Sequence, residues 1–176
     1  MSTLWPLTLR LNEVGRAGLA LDVVADEATR ARIAASLDLV ALNAFSAHLT
    51  IKPWFDGAEI TARWKADIVQ TCGVTLEDFD TALAEPFTVR LVPKGSIHAP
   101  AEDSEAIVDP EADDPADVLD DGVIDLGAYL VEHLTLEVDP FPRKPGAVFE
   151  PPPADSPPSP FAVLQKLNPR APSKGD

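Results

Sequence analysis

Apolar and polar positions alternate from Leu4 to Asp26: Leu7, Leu9 and Leu11 point one way, and Thr8, Arg10 and Asn12 the other. After Gly15-Arg16-Ala17-Gly18, the residues Leu19, Leu21 and Val23 resume the apolar face. Period two with a turn between reads as a β-hairpin with one buried side. Asp26 can then cap a short helix over Glu27 to Leu37, with Ile33, Ala34 and Leu37 on one face.

The stretch from Phe45 to Gln70 has the sharpest pattern. A two-residue turn at Asp56-Gly57, a favoured hairpin pair, sets Ile51 opposite Ala62, Leu49 opposite Trp64 and Ala47 opposite Ala66. The other face then pairs Lys52 with Thr61, Thr50 with Arg63 and His48 with Lys65. A slip by one residue would move every apolar side chain to the wrong face.

A third strand follows Cys72-Gly73. Its C-terminal half alternates Phe87, Val89 and Leu91 against Thr88 and Arg90, and Pro86 points to an edge or a bulge. Farther on, Asp125 can cap a second helix with Leu126, Tyr129, Leu130, His133 and Leu134 on one face. Pro140 and Pro142 end regular structure. The pattern predicts an α+β fold: an antiparallel sheet of about five strands, two short helices, a long acidic loop and a Pro-rich mobile tail. Residues 1–148 form one domain with the acidic loop at about 95–122. Residues 149–176 form the disordered tail, which carries a short apolar motif at 160–167.

Charge sharpens this picture. The net charge of −15 is local: between Lys94 and Arg143 there are 14 Asp and Glu and no Lys or Arg, which leaves 15 acidic against 14 basic residues elsewhere. Proline is also uneven, with 11 of 18 from Pro140 onward. No apolar run approaches the roughly 18 residues of a membrane span. The N-terminal stretch, broken by Pro6, Arg10 and Glu13, makes a poor signal peptide. A single cysteine excludes an internal disulfide framework, and a cytoplasmic protein without membrane contact is expected.

Few residues point to catalysis. The neighbours of Cys72 offer no positive charge, and Glu77 and Asp78 would raise its pKa, so a small buried hydrophobe is the expected role. His48, His98 and His133 fall on a strand, a loop and a helix with no metal-ligand spacing: His98 reads as solvated and His133 as a core residue. Asp117 to Gly122 fails a calcium loop because Leu119 takes a ligand position. No phosphate loop or nucleophile elbow occurs, so neither enzyme activity nor a cofactor is expected.

Two binding features remain. His48, Lys52, Arg63 and Lys65 on one hairpin face could contact a nucleic-acid backbone, although Trp54 and Trp64 are not expected to join them as a stacking platform, because Trp64 points to the buried side. Asp113, Asp114, Asp117, Asp120 and Asp121 could hold a basic partner, and Phe161, Leu164 and Leu167 of PFAVLQKL could dock into a groove.

The stretches ADIVQTCGVTLEDFDTALAEPFTVRLVP (66–93) and DDGVIDLGAYLVEHLTLEVDPFPRKPG (120–146), with the acidic loop between them and the closing PFAVLQKL, resemble the YceD family. These are the large ribosomal RNA subunit accumulation proteins, here of the alphaproteobacterial type. The resemblance implies a cytosolic, non-enzymatic factor for synthesis, processing or stability of 23S ribosomal RNA, with no catalytic residues to transfer. Many members carry a second cysteine three residues after the position of Cys72, where this chain has Thr75. Because phosphate repels a chain of −15, a basic ribosomal protein or pre-50S particle is the preferred partner. Direct 23S contact through the basic face is the alternative, as is a general protein-interaction module unconnected with ribosomes. Oligomeric state stays open.

Overall fold

The computed structural model describes residues 3–100 and 115–149. Its centre is three long antiparallel strands, β3 (Ala41–Trp54), β4 (Gly57–Thr71) and β5 (Asp78–Pro93). β2 (Leu19–Val24) joins the free side of β3, and β6 (Asp117–Leu119) joins the end of β5, giving the order β2-β3-β4-β5-β6. A second, two-stranded sheet pairs β1 (Thr8–Arg10) with β7 (Val123–Asp125).

Strict alternation makes one face of the large sheet apolar. Phe45, Ala47, Leu49 and Ile51 from β3 and Ile60, Ala62, Trp64 and Ala66 from β4 are buried there. Both helices cover this inner face. In α1 (Glu27–Ser36), Asp26 Oδ1 accepts from the Thr29 N–H at 2.7 Å, and Ile33 and Ala34 are buried. In α2 (Leu126–Glu137), Asp125 caps the Ala128 N–H at 2.9 Å, and Leu126, Leu130 and Leu134 enter the same core. Trp5 closes it from the N-terminal side, its ring 5.1 Å from that of Phe45. The α+β class and both capped helices match the pattern of the sequence.

Three expectations are corrected. The first hairpin does not form, because β1 pairs with β7 and β2 pairs with β3. A 3-10 turn over Leu11–Glu13, where Glu13 Oε2 accepts the Arg10 N–H at 3.0 Å, breaks the run between the two apolar stretches. Leu19 and Leu21 then lie opposite Ile51 and Leu49 of β3.

The central hairpin keeps its faces but moves by two residues. Ile51 faces Ile60, Leu49 faces Ala62 and Ala47 faces Trp64, with the turn at Phe55-Asp56. A shift of two leaves every side chain on its face, which is why the parity survives. Gly57 is needed for closeness rather than for a turn: a Cβ there would land on the Leu91 carbonyl of β5. Phe55 therefore takes the left-handed φ of 51°, a costly conformation for a bulky residue.

The sheet is not wholly antiparallel, since β6 runs parallel to β5 from Leu91↔Asp117 to Pro93↔Leu119. This strand lies inside the span expected as loop. Buried Ala116 and part-buried Leu119 anchor it, and three residues are too few to show an alternation. Pro86 sits opposite Arg63 in unbroken register, on a stretch of β5 with no second neighbour among the described residues. That is the edge position its missing N–H tolerates.

Candidate functional site

The outer face of the large sheet is crossed by rows of aligned residues. Asp22, His48, Arg63 and Pro86 form one row, and Ala20, Thr50, Thr61 and Thr88 the next. Lys52, Glu59 and Arg90 form a third, and Ser46, Lys65 and Ala84 lie on the other side of His48. None of these residues belongs to the core cluster, which collects the helix and inner-face side chains. Among the described residues no helix covers this face, and its side chains stand on strands fixed by neighbours.

Ion pairing divides its charges. His48 Nδ1 lies 2.7 Å from Asp22 Oδ1, and Arg90 Nε lies 3.1 Å from Glu59 Oε2. Lys52, Arg63 and Lys65 enter no ion pair among the described residues. Of the four sequence-selected residues, three are available cations and His48 is engaged by a carboxylate. All four share one face. Arg63, His48 and Lys65 also line a shallow concavity there with Asp22 and Ala84.

The acidic residues do not gather in the same way. Asp117 on β6 accepts the Tyr129 hydroxyl at 2.7 Å. Burial, and then the bond and charge of Asp117, push that phenol above its ordinary range. Asp120 pairs with Lys94 at 3.0 Å, and Asp121 accepts the Val123 N–H at 3.0 Å. Asp113, Asp114, Phe161, Leu164 and Leu167 lie outside the described residues. α2 contributes exposed Glu132 and Glu137, and Glu132 lines a concavity at the β5 edge with Asp117, Thr88 and Arg90.

One aromatic residue shares the outer-face parity. Trp64 is buried as expected, but Trp54, not expected to join the basic face, shares the parity of Thr50 and Lys52 and stands two residues beyond Lys52 on β3, partly exposed. The Arg90 guanidinium lies 5.4 Å from its ring centre. His98, expected to be solvated, stacks on Phe55 at 3.9 Å. His133, on the inner side, stacks on Phe87 at 3.8 Å, and burial lowers its pKa. The alternation itself was the available signal for Trp54.

Cys72 is buried, as the sequence suggested, but its acidity runs the other way. The Thr75 hydroxyl and the backbone N–H groups of Lys144, Thr75 and Val74 donate to the sulfur and hold the thiol down at about 6. Glu77, read as a nearby anion, is tied to Lys144 Nζ at 3.0 Å. With an ordinary value of 9.0 in the unfolded chain, the stability that Cys72 contributes is lost as pH falls through about 6 and is complete above 9. The gap in melting temperature between the parent and Cys72→Ala should therefore widen from about pH 6 to pH 9. A gap independent of pH would show a sulfur that stays protonated.

Among the described residues no group of His, Cys, Asp or Glu could hold a metal ion, and no helix is long and apolar enough to cross a membrane. A family model described as large ribosomal RNA subunit accumulation protein YceD matches residues 60–168, from within β4 onward. No curated protein and no solved structure matches the chain.

Proposed function

The chain belongs to the YceD family, whose description implies a role in the accumulation of large-subunit ribosomal RNA, and from that premise we propose that its open sheet face contacts the RNA backbone directly. It acts as a non-enzymatic factor without a cofactor, supporting synthesis, processing or stability of 23S RNA. One observation carries this reading: Lys52, Arg63 and Lys65 stand on paired strands of a face that, among the described residues, has neither a covering element nor ion-pair partners for them. Such cations displace counterions from phosphate and gain free energy in doing so.

A second reading has its own support. The absence of any Lys or Arg between Lys94 and Arg143, against 14 carboxylates, suits a basic ribosomal protein. Two variants separate the readings. K52Q/R63Q/K65Q should lose affinity for 23S precursor RNA, and its salt slope should flatten by about 2 to 3, near one unit for each phosphate that is no longer neutralised. Neutralising Asp113, Asp114, Asp117, Asp120 and Asp121 to Asn should tighten RNA binding. Unchanged RNA affinity in the first variant, with loss of a basic ribosomal protein in the second, would favour the acidic surface instead.

A further inference from the structure

The tip of the β3–β4 hairpin carries rings that the core does not use. Trp54 and Phe55 meet edge to face at 4.6 Å between centroids, and His98 lies nearly parallel to Phe55 at 3.9 Å and 14°. Trp54 also lies 6.2 Å from His98 and is flanked by the Arg90 guanidinium. None of these four residues is in the core cluster, and Phe55 remains 68% exposed. The segment bearing His98 is held in place: Ser96 Oγ donates to Asp56 Oδ1 at 2.8 Å and accepts the His98 N–H at 3.1 Å.

Phe55 is the unusual member. Its φ of 51° belongs to glycine, asparagine or aspartate, yet a large ring stands there in solvent. Neither the backbone nor the core requires phenylalanine at this position. Trp54 continues the column of outer-face residues that includes Lys52, so its ring shares a surface with Lys52, Arg63 and Lys65, which enter no ion pair among the described residues. Rings beside a cationic track are the arrangement that holds single-stranded nucleic acid, because every base has a face to stack while the cations follow the phosphates.

We infer that the Trp54–Phe55–His98 cluster is a stacking site for unpaired RNA bases, which makes the proposed RNA face selective for single-stranded segments. This rests on the proposed backbone contact. Bases inside a duplex are already stacked and cannot use the site, whereas Lys52, Arg63 and Lys65 serve either form.

The test uses the full chain with an unstructured RNA oligonucleotide and a blunt RNA duplex of the same length. Trp5 and Trp64 are buried, so fluorescence quenching on binding reports on Trp54. Quenching is expected with the single strand and not with the duplex. Phe55→Gly suits the left-handed backbone and should fold with an unreduced melting temperature, while weakening single-strand binding roughly tenfold and leaving duplex binding unchanged. His98→Ala should act in the same direction. Single-strand affinity unchanged in both variants, with K52Q/R63Q/K65Q still weakening both RNA forms, would overturn the stacking site and leave the backbone contact standing. A parent protein that binds neither RNA would overturn both.

Discussion

Replacing Leu49 with Asp should abolish the folded state. Leu49 is fully buried at the centre of the inner face, opposite Leu21 on one side and Ala62 on the other. Losing a core leucine costs about 2 to 5 kcal/mol, and an unpaired carboxylate in that place adds to it. Domains of this kind are stable by only about 5 to 15 kcal/mol. Thr61→Asp is the matched control, one strand away on the exposed outer face. It should shift stability by about 0.5 kcal/mol. Circular dichroism and thermal melting of the two variants check the facing of the whole hairpin, and equal damage from both would mean that the faces are misassigned.

Gly57→Ala should cost about 3 kcal/mol or more, although it adds a single methyl group to a residue beside a turn. The added carbon would meet the Leu91 carbonyl, a backbone atom of β5 that cannot rotate away. At an ordinary turn glycine the penalty would come from a positive φ, and Asn would relieve it. Gly57 is not among the positive-φ glycines, so Asn should be no better than Ala. Denaturant midpoints of the two variants distinguish the cases. Rescue by Asn would restore the turn at Asp56-Gly57 and the register that goes with it.

Gly57 also shows where the sequence stops being legible. Asp56-Gly57 is a strong local turn signal, but the need for glycine is set by Leu91, 34 residues later. The facing survived that error because period two is insensitive to a shift of two. α1 and α2 were readable because cap and apolar spacing fall within about a dozen residues of each other. The pairing of Leu9 with Ile124 has no local trace, and the leucines of β1 suited the wrong partner equally well.

The same limit applies to the candidate site. Alternation put Lys52, Arg63 and Lys65 on one face correctly, since that depends on neighbours in sequence alone. That His48 is taken up by Asp22, and that Phe55 meets His98, depends on contacts 26 and 43 positions apart. The acidity of Cys72 comes first from the Thr75 hydroxyl three residues away and next from the Lys144 N–H, which is reached only when the segment after α2 returns beside the cysteine turn. The residues Asp117, Asp120 and Asp121 read as one acidic group, but β6 and the turn after it send them to three different partners.

The most direct test of an RNA-contacting sheet face is ultraviolet crosslinking of the full chain in growing cells, followed by identification of both the RNA and the crosslinked peptide. Large-subunit ribosomal RNA precursor should be joined to peptides of the β3–β4 hairpin that carry Lys52, Trp54, Phe55, Arg63 and Lys65. Crosslinks confined to a ribosomal protein through the stretch from Asp117 to Asp121, with no RNA on β3 or β4, would contradict it.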